Sequence, residues 1–309
     1  MKILITGGAG FIGSHVADLL IENNFDVSIV DNLSSGKLEN INPKARFYKC
    51  DARDSEIFKI IEIEKPQIVI HNAAQLSVRN SVDDPLNDAS INIIGGLNVL
   101  EACRKIKVRK IIFASSGGVV YGEQQYFPAD ENHPTKPISP YGVAKLSFEK
   151  YLFYYNYIFG IKYICLRYAN VYGPRQDPHG EAGVVAIFSK KLLNNEQPVI
   201  NGDGKQTRDY VYVKDVAAAN LSAIRNDFVG EINIGTGIET DVNNVFDILK
   251  KAAGKKDLKE VHGPAKTGEQ ERSVLSYKKA QTILGWEPKV KIKEGLTRTF
   301  EWFANMLKF

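Results

Sequence analysis

A chain of 309 residues is long enough for one large unit with a smaller annex and too short for three domains of ordinary size. With 44% hydrophobic and 25% charged residues it has the balance of a folded globular protein, which excludes a disordered chain. The net charge of +4 comes from Lys and Arg spread along the sequence, which excludes the basic blocks of a nucleic-acid binder, and no run reaches the ~20 apolar residues of a membrane helix.

The first element is a strand over Lys2 to Thr6, which runs straight into Gly7-Gly8-Ala9-Gly10-Phe11-Ile12-Gly13 and a helix through roughly Asn23. That GxxGxxG spacing puts bare backbone and the unpaired N–H groups of a helix N-terminus where a pyrophosphate approaches. A lone glycine pattern also fits a plain tight turn, so the next element decides. A strand over Val27 to Val30 leads to Asp31, 18 residues beyond Gly13, where a carboxylate accepts hydrogen bonds from the adenine ribose hydroxyls. Its charge would repel the 2′-phosphate of NADP and no Arg follows it directly, so the dinucleotide is expected to be NAD. After a third strand over Arg46 to Cys50, Asp51 is placed either to accept the adenine amino group or to cap a helix with Asp54.

Further strands are expected over Ile68 to Asn72, Lys110 to Ser115 and Lys162 to Tyr168, each followed by a helical or loop segment. Six such units predict a doubly wound, Rossmann-type parallel sheet with helices on both faces. Between Gly173 and Gly183 the pattern turns irregular, and a smaller α/β substrate-binding domain is expected to begin there. Val211 to Val213 and Glu231 to Asn233 read as strands flanking an Ala-rich helix that returns to the large sheet. The expected division is therefore 1–168, with a return segment about 210–235, for the dinucleotide, and 169–209 with 236–309 for the substrate. A final helix over Glu294 to Leu307 carries Phe300, Trp302 and Phe303.

Cys50, Cys103 and Cys165 are odd in number and far apart, and the five histidines lack HxxxH or HExxH spacing, so neither disulfides nor a metal is expected. The chain starts without a basic segment and long apolar core, which predicts a cytoplasmic protein.

The catalytic candidates follow from geometry. Tyr141 and Lys145 come after Ser139-Pro140, a helix-start signal, and so fall on one helix face a single turn apart. Tyr210 and Lys214 share the spacing but lie on an expected strand, where four residues span about 13 Å and the groups cannot cooperate. A phenol titrates near pH ~10 and is a poor base at neutrality, so the chemistry needs Lys145 and the positive ring of bound NAD to favour phenolate. Ser115 and Ser116 end a sheet strand, where a hydroxyl can orient a substrate oxygen or make an ordinary turn.

Taken together these residues, with His71-Asn72-Ala73-Ala74, Tyr121-Gly122, Leu166-Arg167-Tyr168-Ala169-Asn170 and Arg208-Asp209-Tyr210-Val211, resemble the extended short-chain dehydrogenase/reductase family, and within it the UDP-glucose 4-epimerases. The resemblance implies NAD contacts from Gly7, Gly10, Phe11, Ile12 and Gly13, from Asp31, Asn32, Asp51 and Ala52, and from Ala73, Ala74, Tyr141 and Lys145, with Asn92 supporting the region. It implies a UDP-sugar substrate held by Ser116, Tyr141, Asn170, Arg208 and Glu269, and a homodimer. Tyr141 would take the C4 hydroxyl proton as hydride leaves C4, and the resulting 4-keto sugar would turn over before hydride returns. Members often carry Arg ahead of the Gly-acidic pair, where this chain has Lys266, Thr267, Gly268 and Glu269; Arg272 is the candidate for that phosphate contact. Counting forward from Glu269, Ser273 falls at the position that borders the sugar C2 substituent, and its small size implies that UDP-GlcNAc and UDP-GalNAc also fit. Dehydratases of the family carry Thr-Asp-Glu where this chain has Ser116-Gly117-Gly118, which argues against dehydration. A UDP-glucuronate epimerase or decarboxylase is the alternative within enzymes; a non-catalytic NAD sensor is the alternative outside them.

Overall fold

The computed structural model describes residues 1–179, 183–265 and 270–306. Seven parallel strands form the large sheet: β1 (Lys2–Thr6), β2 (Asp26–Asp31), β3 (Arg46–Lys49), β4 (Ile68–His71), β5 (Lys110–Ser116), β6 (Lys162–Tyr168) and Gly230–Ile234. Their order is Gly230–Ile234, β6, β5, β4, β1, β2, β3, so the chain reverses direction of winding on either side of β1. Ligands of doubly wound sheets bind at that reversal, beyond the carboxyl ends of the strands.

Both faces of the sheet are covered, and the period of two along each strand explains how. Ile3 and Ile5 of β1 pack against the helices Phe11–Glu22 and Val213–Arg225 through Val16, Leu20, Val216 and Ala219. Leu4, between them, faces the opposite layer, where Ile57, Val99, Leu100, Phe148 and Leu152 come from Glu56–Glu64, Gly96–Ile106 and Pro140–Phe159. Strands buried on two sides need apolar residues at every position, which is why β1, β4 and β5 read as continuous apolar runs.

The expected return to the large sheet happens once, not twice. The strand Thr207–Tyr212 joins a second, small sheet with Asn170–Tyr172, Glu239–Asp241 and Arg272–Ser273, and of the two expected returning strands only Gly230–Ile234 enters the large sheet, beside β6. Val213 already belongs to the following helix. Short β-rich runs look alike whichever sheet they enter, because side-chain alternation carries no information about the partner strand. The last helix spans Ile292–Met306 and buries Phe300 and Phe303 on the small-sheet side of the molecule, while Trp302 is only half-buried. Among the described residues no helix is long and apolar enough to cross a membrane.

Candidate active site

The glycine loop follows from a steric requirement. Gly7 has φ +68°, and a Cβ there would lie 2.6 Å from the Ala73 backbone nitrogen; a Cβ at Gly13 would lie 2.2 Å from the Gly7 carbonyl oxygen. Only glycine lets β1, the loop and the segment after β4 approach so closely. The helix it opens has no acidic residue in its first turn and no side-chain cap at Gly10, so the N–H groups of Phe11, Ile12 and Gly13 and the positive helix end stay available to an anion. Asp31, the last residue of β2, accepts from the Ala9 N–H at 3.0 Å and the Leu33 N–H at 2.8 Å, which fixes its carboxylate beside the loop.

Of the two roles expected of Asp51, the helix cap is not made. Its carboxylate accepts from the backbone and guanidinium of Arg53 and from Asn32 Nδ2, which holds it well below the usual carboxylate range, and it caps no helix. Ala52 lies beside this cluster. Asn92 occupies a π-helical turn over Ser90–Gly95, a local distortion common at functional sites. Its side chain binds Gln75 on both backbone groups, at 3.0 Å each, and donates to Asp88 at 2.8 Å. Asn92 therefore fastens the loop that contains Ala73 and Ala74 instead of facing outward. Gln75 and Asp88 were not legible as functional in the sequence.

The catalytic helix begins as expected. Ser139 Oγ accepts from the Gly142 N–H at 3.1 Å and Pro140 occupies the first turn, a cap worth about 1 kcal/mol. Lys145 is buried, donates to the Ala114 carbonyl at 2.8 Å, and holds its ammonium 5.6 Å from the centre of the Tyr141 ring. Burial pulls Lys145 down to about 8, opposed by the carboxylates of Asp88 and Glu149. Burial pushes the Tyr141 phenol far above its ordinary range, and Asp88 adds to the shift. The two serines separate cleanly. Ser115 is buried and donates to Glu149 at 2.6 Å, whereas the hydroxyl of Ser116, at the carboxyl end of β5, makes no hydrogen bond among the described residues. The competing pair fails for a reason other than strand geometry: Tyr210 is buried on Thr207–Tyr212, but Lys214 is an exposed residue of the next helix.

Asn170, Arg208 and Ser273 all sit on the small sheet, with Asn170 paired to Tyr210 and Ser273 to Arg208. Arg272 is already engaged: its guanidinium binds Glu239 at 2.7 and 2.9 Å and lies 3.8 Å over the Phe127 ring. Glu269, with Lys266, Thr267 and Gly268, lies outside the described residues. A Cβ at Gly117 would strike Leu275 at 2.4 Å, while one at Gly118 would meet only Asn170 and Ser116 at 3.8 Å. Position 118 therefore opens toward the site and carries no acid there, which weighs against dehydration.

Residues 3–235 match the NAD dependent epimerase/dehydratase family. The chain belongs to that family. A UDP-glucose 4-epimerase structure with UDP-glucose from Thermotoga maritima is 52% identical, with TM-score 0.97 over 99% of this chain and 100% of that one. A Thermus thermophilus UDP-glucose 4-epimerase in complex with NAD is 44% identical, with TM-score 0.93 over 98% of this chain and 99% of that one. A UDP-N-acetylglucosamine 4-epimerase from Methanobrevibacter ruminantium, in complex with UDP-N-acetylmuramic acid, is 37% identical, with TM-score 0.93 over 99% and 98%. The expected doubly wound fold, extended short-chain dehydrogenase class and NAD dependence are all borne out.

The residues present fit that dinucleotide. Beside the bare Gly7–Gly13 backbone, the buried side-chain amide of Asn72 finds no hydrogen-bond partner among the described residues, and buried polar groups of a folded chain are ordinarily satisfied. Asp31 has lone pairs left over after its two backbone bonds. Bound there in its oxidised form, NAD would accept hydride and would add a second positive charge near Tyr141, beside the Lys145 ammonium 5.6 Å from the ring.

Proposed function

We propose that the chain is a UDP-sugar 4-epimerase that interconverts UDP-glucose and UDP-galactose, and UDP-GlcNAc and UDP-GalNAc, through a 4-keto sugar. The observation that carries this reading is the placement of Tyr141 and Lys145 on one helix, with Lys145 bonded to Ala114 two residues before the unpartnered Ser116 hydroxyl at the carboxyl end of β5, where a Cβ at Gly118 would meet both Ser116 and Asn170. In this scheme Tyr141 removes and returns the C4 hydroxyl proton, Ser116 orients that oxygen, and Lys145 stabilises the phenolate. Arg208 and Asn170 tether the diphosphate, so that the keto sugar can turn over without leaving. Arg272 would have to exchange Glu239 for a phosphate to act as the second clamp.

The NAD-binding unit in this reading comprises residues 1–168 with a return segment starting at Val213, three residues later than expected, because Thr207–Tyr212 is committed to the small sheet. Support for the broader sugar range comes from Ser273, small and buried at the Arg208 strand. The test is incubation with UDP-glucose, UDP-galactose, UDP-GlcNAc, UDP-GalNAc and UDP-glucuronate, followed by product chromatography. Formation of the C4 epimer from the two hexose pairs is the expected result. Turnover of UDP-glucuronate alone would replace this reading with the uronate alternative.

We also propose a homodimer. The helix Pro140–Phe159 buries Ala144, Lys145, Phe148, Glu149, Leu152 and Tyr155 against the sheet, yet exposes Phe153, Tyr154, Tyr157 and Ile158. Tyr151 is exposed as well, because the buried stripe advances by three or four residues and skips it. A second copy related by a two-fold axis would cover this aromatic surface, which a solvated monomer rarely leaves open. Light scattering at micromolar concentration should give twice the chain mass; a monomer would rule the dimer out.

A further inference from the structure

Glu149 lies on the buried stripe of the catalytic helix, two turns beyond Tyr141 and one beyond Lys145, with no solvent exposure. A lone carboxylate there would be strongly disfavoured, and it is fully engaged instead. Oε1 accepts from Ser115 Oγ at 2.6 Å and from Arg167 Nε at 3.0 Å, and Oε2 accepts from Arg167 Nη2 at 2.6 Å. Arg167 Nη1 donates to the Tyr121 hydroxyl at 3.0 Å, which donates to Asn233 at 2.7 Å. Ser115 and Arg167 are register partners on β5 and β6, so one carboxylate bonds the helix to two neighbouring strands at the same level.

That level is the reaction centre. The Ala114 carbonyl accepts from Lys145, the Ser115 hydroxyl donates to Glu149, and the next residue is Ser116. Glu149 is one helical turn beyond Lys145, and its carboxylate and that of Asp88 from Pro85–Ala89 both favour the charged lysine. The remaining titratable neighbours, Tyr141 on the same helix, His71 at the end of β4 and Cys165 on β6, are kept neutral by burial, and Arg167 is spent on Glu149.

We propose that Glu149 is a positioning residue for the epimerase reaction: by bonding Ser115 and Arg167 together it sets the height of the Tyr141 and Lys145 face against the strand that carries Ser116, with its charge beside the lysine. This rests on reading the chain as a UDP-sugar 4-epimerase. A purely structural ion pair can be exchanged for apolar side chains of similar volume without loss of stability. Directional hydrogen bonds that place reacting groups cannot, since a shift of about 1 Å can cost about 100-fold in rate.

The experiment compares the NAD-loaded parent with Glu149→Gln, Ser115→Ala and the double variant Glu149→Leu/Arg167→Met. Thermal unfolding, kcat, KM for UDP-glucose and the titration of Lys145 are measured, the last by NMR of isotope-labelled lysine assigned with Lys145→Arg. The double variant is expected to unfold close to the parent temperature with kcat about 10- to 100-fold lower and KM within about threefold. In Glu149→Gln the Lys145 midpoint is expected at lower pH, because one of the two carboxylates that favour its charged form is gone. A folded double variant with kcat within about twofold of the parent, or an unmoved Lys145 midpoint, would overturn the role. Should the double variant not fold, Ser115→Ala decides, since it deletes one hydroxyl: reduced kcat at unchanged KM supports positioning, and unchanged kcat overturns it. A parent without epimerase activity refutes the substrate reading, and the Lys145 titration still tests Glu149.

Discussion

Tyr141→Phe is expected to lower turnover by roughly 100- to 10,000-fold, the range in which a positioned acid or base contributes, while the affinity for NAD stays near that of the parent. The substitution removes one oxygen and leaves the Gly7–Gly13 loop and the Asp31 carboxylate untouched. The same variant exposes a pH effect. In the chain alone, burial drives the phenol far up and Lys145 down to about 8, so phenolate and ammonium do not dominate together at any pH. A positive ring beside the phenol favours its ionised form. The phenolate absorbance of Tyr141, taken as parent minus Tyr141→Phe, should therefore appear at lower pH in NAD-loaded than in NAD-free protein. Coincident titrations would mean that the cofactor does not activate the phenol, and near-parental turnover in Tyr141→Phe would remove it as the base.

Ser273→Tyr is expected to separate the two substrate pairs. Ser273 is 2% exposed on the strand paired with Arg208, so a phenol in its place has no solvent to escape into and must fill neighbouring space. Forcing atoms into a packed site costs about 1–3 kcal/mol, or roughly 10- to 100-fold in kcat/KM for the bulkier substrate. UDP-GlcNAc turnover should fall by that factor or more, and UDP-glucose turnover should change little. An equal loss on both would show that Ser273 supports the strand instead of bordering the sugar, and parent protein that leaves UDP-GlcNAc untouched would refute the N-acetyl activity directly.

Features whose physics is local are legible in the chain. The glycine loop, the Asp31 position, the Ser139-Pro140 helix start and the one-turn spacing of Tyr141 and Lys145 each depend on a few adjacent residues, and periodicity distinguished the strands of the large sheet from its helices. The sheet that Thr207–Tyr212 enters follows from long-range packing, since alternation of side chains is the same for either partner. The same packing decides that Ser115 is spent on Glu149 and Ser116 left open, that Asp51 is engaged by Arg53, and that Arg272 is engaged by Glu239. Each of those outcomes is set by a hydrogen bond or ion pair whose direction depends on side-chain geometry that spacing along the chain does not specify. The Glu149–Arg167 pair shows the limit most clearly. A charged residue inside an apolar stripe looks like a flaw in a helix pattern until the fold brings an arginine from another strand within 2.6 Å, because only then is the desolvation of both charges offset by their mutual attraction.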